Sequence, residues 1–164
     1  MVKWACGVDP GLQGFFVFTN GEKMRAEKMP ICNKNEIDFE AVLSILKTAE
    51  KDTHVFLERA VPFAMGSKGA FNYGRGFAAL EIAIKIAQLP VTYVEPAKWT
   101  KALHAGIQAD LKPKAKSLIA VQRLYPSLTK LLPKDSKGQL LDGAVDALLI
   151  AGYGLSLSSR EDFF

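Results

Sequence analysis

The stretch from Trp4 to Phe18, WACGVDPGLQGFFVF, constrains the chain more than any other. Val2, Trp4, Cys6 and Val8 alternate with Lys3, Ala5, Gly7 and Asp9, the period-two pattern of a strand. Phe15 to Thr19 reads as a second strand, and Pro10 with three nearby glycines makes the connection between them a tight turn. Asp9 therefore stands at the end of the first strand. An ionised carboxylate at a buried strand end is costly unless something pairs with it, and a divalent cation is one such partner. The rest of the chain can then be read for carboxylates that return to the same place.

Asn20-Gly21 is a hairpin signal, so a third strand is expected from about Glu22 to Met29, completing an antiparallel meander. Residues 30–35 read as a loop. A helix is expected from about Ile37 to Glu50, with Phe39, Val42, Leu43 and Leu46 on one face. Thr53 to Glu58 is a short strand whose continuous apolar run, Val55-Phe56-Leu57, suits a central strand buried on both faces. It ends on Glu58 as the first strand ends on Asp9. Side by side and parallel, the two strands would make those carboxylates neighbours, and their repulsion again asks for a cation.

Ala60 to Gly76 reads as a glycine-rich loop carrying Phe63, Lys68, Phe71, Tyr73 and Arg75. Aromatics and cations on such a loop would stack on bases and contact phosphates; alternatively Phe71 and Tyr73 begin the next helix and face the core. That helix is expected to run to about Gln88 through Phe77, Leu80 and Ile84. A strand follows from Leu89 to Val94, and then a short helix from Ala97 to about His104 with Lys98, Trp99 and Lys101. After a loop at Gly106 to Leu111, Pro113 opens a helix to about Leu124, which Pro126 stops. Leu131 to Gln139 is a polar loop, and the last helix is expected from about Leu141 to Leu157. The order βββ-α-β-α-β-α-α-α, without repeat or linker, predicts a single α/β domain over residues 1–164 with a five-stranded mixed sheet flanked by helices.

Charge is distributed unevenly. The chain carries a net charge of +4, yet between Pro96 and Lys137 nine basic residues face only Asp110 and Asp135. A basic segment before an acid-bearing helix suits a polyanion held over a metal site, and it is also what a solvated face looks like. No apolar run is long enough to span a membrane. No signal peptide is visible, and Cys6 and Cys32 are too few for a disulfide framework. These features predict an intracellular, cytoplasmic protein.

Asp142 and Asp146 stand four residues apart on the last helix, so their side chains share one face. Asp142 could instead cap the helix, but Asp146 sits among Ala147, Leu148, Leu149 and Ile150. Four carboxylates are thus expected to converge: Asp9, Glu58, Asp142 and Asp146. Oxygen-only ligands suit Mg²⁺ or Mn²⁺ rather than zinc. Two such ions could activate a water and stabilise a leaving 3′ oxygen in phosphodiester hydrolysis. Of the two histidines, His54 reads as structural and His104 as a candidate DNA contact.

GVDPG at the first strand end, VFLERAVPF around Glu58 and DGAVDALLIAGYG on the last helix resemble the RuvC-type Holliday junction resolvases, a group within the RNase H-like fold. The phage and chloroplast branches are the most similar. EPAKWTKAL and KPKAKSLIAVQRLYP are similar to the basic region before the family's final helix, and the resemblance covers about Gly7 to Gly154. It implies a metal-dependent endodeoxyribonuclease that resolves four-way DNA junctions by paired symmetric nicks, as a homodimer, and it is compatible with a viral origin. By position it makes Asp9 the ligand shared by both metals, Glu58 and Asp146 further ligands, and Asp142 the residue that completes the set. Lys114 would lie near the scissile phosphate. DNA contacts would come from Lys68, Arg75, Lys98, Lys101, Lys112 and Lys116, with Phe71 or Tyr73 probing the junction centre. Many relatives carry His or Asp three residues before the last acid, where this chain has Gly143. Other readings are an RNase H-like nuclease acting on RNA or flap DNA, and a non-catalytic junction-binding protein. The actin-like ATPase fold also places Asp-x-Gly after its first strand, but this chain is too short for the two such domains it needs.

Overall fold

The computed structural model describes residues 2–59 and 66–161, with side chains to residue 159. Phe63 lies outside the described residues. The meander forms as its alternation and turn signals require: β1 (Trp4–Val8), β2 (Phe15–Thr19) and β3 (Met24–Lys28), antiparallel in sequence. A two-strand hairpin, β4 (Ile31–Cys32) and β5 (Glu36–Ile37), occupies the expected 30–35 loop, its turn made by Asn33 and Lys34 at positive φ. Helix α1 (Phe39–Lys47) is capped by Asp38, whose carboxylate accepts the Ala41 N–H at 3.0 Å. Then come β6 (Thr53–Glu58), α2 (Ser67–Ile86), β7 (Val91–Val94), α3 (Pro96–Leu103), α4 (Pro113–Leu124), α5 (Pro126–Thr129) and α6 (Asp142–Glu161). Pro126 does end α4, and it also opens the one-turn helix α5.

The main sheet has the order β3-β2-β1-β6-β7, with β6 parallel to both β1 and β7. Strand alternation sends side chains to two cores. Ala5, Phe15, Val17 and Phe56 pack under α6 with Trp99 and Val121. Cys6, Val8, Phe16, Phe18, Val55 and Leu57 pack under α1 and α2 with Val42, Leu46, Leu80 and Ile84. β1 and β6 are therefore buried on both faces, as expected of the sheet centre. Gly7 lets α6 lie directly on β1: a Cβ there would stand 2.0 Å from the Ala147 carbonyl oxygen. Both cysteines are free, and no helix among the described residues is long and apolar enough to cross a membrane.

The glycine-rich stretch is the clearest departure from expectation. Residues 67–76 are not loop but the first half of α2. The apolar period of Phe77, Leu80 and Ile84 extends upstream through Ala70 and Tyr73, while Gly69 and Gly74 fall on the exposed side. There their helix penalty of ~1 kcal/mol each is tolerated. Glycine count signalled a loop; periodicity was the stronger signal.

Candidate active site

Two adjacent parallel strands deliver the first two acids. The β1–β6 register pairs Val8 with Leu57, so Asp9 and Glu58, the next residues along, leave the sheet at the same end. The turn after β1 holds Asp9: its N–H donates to the Phe15 carbonyl at 3.1 Å, and its Oδ1 accepts the Gly11 N–H at 3.2 Å. Helix α6, laid across β1 and β2, brings Asp146 to the same end. Asp142 is the first residue of α6 rather than its cap, with its side chain 54% exposed and ion-paired to Lys114.

Gly143 has a steric reason to be glycine. A Cβ there would meet the Gln13 carbonyl oxygen at 2.4 Å and Asp9 Oδ2 at 3.2 Å. The first turn of α6 thus sits against the Asp9 turn so closely that no side chain fits between them.

The three inner acids share an electrostatic problem. Burial pushes Glu58 up to about 7; hydrogen bonding to Trp99 opposes this, and the charges of Asp9 and Asp146 add to it. Burial likewise pushes Asp146 up to about 6; a Ser117 hydrogen bond and the Lys114 charge oppose the rise, and Asp9 and Asp142 reinforce it. Burial raises Asp9 above the usual carboxylate range, partly offset by its Gly11 hydrogen bond. Among the described residues no lysine or arginine forms an ion pair with Asp9, Glu58 or Asp146.

Helices α3 and α4 each supply a donor that holds one acid. The indole N–H of buried Trp99 donates to Glu58 Oε1 at 2.8 Å. Buried Ser117 stands beside Asp146 and its hydroxyl acts to lower that carboxyl, and His104 Nε2 lies 3.3 Å from the same hydroxyl. His104 also packs edge-on against Trp99 at 5.7 Å. His104 is therefore tied into the support of the acids rather than presented to DNA. Neither Trp99 nor Ser117 stood out in the sequence; an indole and a hydroxyl inside an otherwise lysine-rich segment were the available signal.

Asp9, Asp142, Asp146, Lys114 and Lys28 line a cleft of about 430 Å³, with Glu58 outside its wall. Among the described residues no three His, Cys, Asp or Glu side chains gather into a ready-made metal cage. The donor set nonetheless fits a hard divalent cation. It is all oxygen, mutually repelling, part-buried and short of cationic partners. A cation would have to draw the carboxylates inward.

The expected DNA contacts divide into exposed and engaged groups. Lys68, Lys101 and Lys112 are exposed. Lys98 pairs with Glu95 at 3.0 Å, and Lys116 donates to the Ala109 carbonyl at 2.7 Å. Arg75 pairs with Glu36 at 2.9 Å. Phe71 is 65% exposed on α2, which excludes the core alternative for it, whereas Tyr73 is half-buried and stacked on Phe77. His54 is structural as expected, bonded to Thr92 and stacked on Phe56.

A scan against protein-family models and a search of curated proteins each find no match. Solved structures do match. Thermus thermophilus RuvC in complex with a Holliday junction substrate aligns with a TM-score of 0.66 at 19% identity, over 95% of each chain. A second Thermus thermophilus RuvC structure aligns with a TM-score of 0.61 at 18% identity, over 94% of this chain and 96% of that one. The fold is RuvC-type. In this RuvC-type, RNase H-like fold the likeness spans nearly the whole chain.

Proposed function

We propose that the chain is a metal-dependent endonuclease that resolves four-way DNA junctions. The observation that carries this reading is the meeting of three part-buried, mutually repelling carboxylates at one end of β1, β6 and α6, beside Lys114 and a basic flank. A binding module has no need of repelling acids where a phosphate backbone must lie. Asp9, Glu58, Asp142 and Asp146 would hold two ions, Mg²⁺ or Mn²⁺. When bound, such ions supply Lewis-acid activation of an attacking water and charge stabilisation at the leaving 3′ oxygen.

The chain's own residues supply the rest. Trp99 and Ser117 keep Glu58 and Asp146 oriented, as outer-shell donors do for ligating side chains. Lys114 holds Asp142 and lies within reach of a phosphate at the same rim. Lys68, Lys98, Lys101, Lys112 and Lys116 would track the backbone, a sequence-independent and salt-sensitive contact. Phe71, exposed on α2, is the better candidate for stacking at the junction centre; Tyr73 is committed to Phe77.

A four-way junction is two-fold symmetric, so a two-fold dimer matches it. Helix α2 offers a surface for one, since Phe71, Ile82 and Ile86 are all more than half exposed and repeat at helical spacing. The resemblance to RuvC solved with a Holliday junction supports junction DNA over RNA hybrids as the substrate.

The test uses labelled four-way junctions with Mg²⁺ and with Mn²⁺, comparing wild type and Asp9→Asn. Paired symmetric nicks by the wild type alone are expected. Tight binding without nicks in either metal would make the protein a junction-binding module. Equal cutting of RNA hybrids or flap DNA would remove the junction specificity.

A further inference from the structure

A second concavity opens from the catalytic cleft. It is a groove of about 640 Å³ walled by α4, α5, the 134–140 loop and α6, and it shares Lys114, Asp142 and Asp146 with the cleft. Its size falls within the ~300–1,000 Å³ typical of small-ligand sites. Leu118, Leu140 and Val145 give it an apolar lining. Gln122 and Gln139 add two amides, and among the described residues neither amide group is committed to a hydrogen bond. Lys130 and Lys134 complete the wall.

The groove is braced rather than slack. Asp135 Oδ1 accepts the Lys137 and Gln139 N–H groups at 2.8 and 2.9 Å, and Lys134 and Leu140 form a β-bridge. The loop that carries Gln139 is therefore built in place.

We infer that this groove receives one unstacked nucleobase of the cleaved strand, next to the scissile phosphate, and reads its edge. The inference rests on the nuclease reading, because that reading lays the strand over Asp9 and Asp146. A strand leaving those acids past Lys114 enters the groove directly. A channel for backbone alone would be polar and cationic throughout. An apolar slot with amides and flanking lysines matches a base with apolar faces and polar edges, with phosphates on either side. A glutamine amide offers both a donor and an acceptor, the pair that adenine presents at N7 and N6.

Two measurements test this. Nicking of a junction library, randomised around the cut, should show a base preference at one position beside the scissile phosphate. Gln122→Ala or Gln139→Ala should flatten that preference at least about 5-fold, which is about 1 kcal/mol. Lys137→Ala, on the same loop but outside the groove, should keep the wild-type profile. An absent preference, or one unchanged in both glutamine variants, overturns the inference.

The second measurement is independent of catalysis. In EDTA, junctions carrying 2-aminopurine at successive positions should show a several-fold fluorescence rise at one position on binding. Leu118→Trp, which fills the groove from the half-exposed face of α4, should abolish the rise. No unstacking at any position overturns the inference. If the wild type nicks no junction while unstacking is seen, the nuclease reading fails and the base-reading groove stands.

Discussion

Two half-buried glutamates bracket β6, and the fold treats them in opposite ways. Glu50, before the strand, takes a hydrogen bond from Arg25 Nε at 3.3 Å. That guanidinium also donates to the Thr48 carbonyl at 3.1 Å and lies 3.6 Å over the Phe18 ring. Glu58, at the strand's other end, has an indole N–H for a partner and two carboxylates for company. Charge brought partly out of water is neutralised where it serves structure. Where it is left unneutralised, as at Glu58, the proposed function supplies a cation from solution as the partner. Within eight residues of the same chain, one carboxylate is paired with a guanidinium and the other is left beside two further carboxylates; the proposed function makes the second the working one.

The largest effect should come from the working end. Glu58→Gln is expected to lower junction nicking by at least about 1,000-fold, some 4 kcal/mol of transition-state stabilisation, while junction binding is retained or tightened by loss of a repelling charge. Single-turnover nicking and gel-shift titration read the two effects. Retained nicking would erase the distinction between the two glutamates.

Trp99→Phe keeps the aromatic packing and removes the N–H from Glu58. It should cost about 10–100-fold in nicking, the usual scale for an outer-shell partner, and raise the Mg²⁺ midpoint with little change in melting temperature. A stability loss with unchanged metal dependence would make Trp99 a core residue only.

The two ends should also differ in pH response. With Glu58 raised to about 7, the folded protein keeps a proton there that the unfolded chain has released above about 4.5. Stability from this group is therefore lost as pH rises through that window; Asp146, raised to about 6, acts in the same direction. His104, lowered by burial and by Lys116 and Arg123, acts the opposite way, so a difference measurement is needed. In EDTA, the melting temperature of Glu58→Gln relative to wild type should climb from pH 5 to pH 7.5. Mg²⁺ should restore wild-type stability at pH 7.5. A pH-independent difference would show that Glu58 carries no burden of unpaired charge.

The smallest effect on activity should come from Glu50→Gln. It is expected to lose about 1–2 kcal/mol of stability, as for a part-buried charge-assisted pair, with nicking at permissive temperature within about 2-fold of wild type. Denaturant melts and nicking rates measured together check both halves.

Much of this architecture was legible in local pattern. Alternation placed β1 and β2, the Asn20-Gly21 turn placed β3, and the continuous apolar run of Val55 to Leu57 marked β6 as central. Those assignments depend on which face of a strand is apolar, a property each segment carries by itself. Asp9 and Glu58 became neighbours from the same logic, because central parallel strands end together. The glycine-rich start of α2 is the exception: glycine lowers helix propensity locally, whereas packing of Tyr73, Phe77 and Leu80 is settled by what lies opposite.

By itself, then, the sequence determined the order of the main sheet's strands and of the longer helices, the sheet's centre and the basic flank before the last helix, and it nominated the four acids; the β4–β5 hairpin and the one-turn helix α5 were not legible in it. Only the tertiary structure decided how those acids differ: Asp146 drawn inward under Ser117, Asp142 left at the rim with Lys114, and Gly143 pressed against the Asp9 turn. It alone brought Trp99 to Glu58 across 41 residues of chain and closed the groove between α4 and α6. Periodicity says which residues share a face of a strand or helix; what that face meets depends on contacts between segments far apart in sequence, and these exist only once the chain has packed.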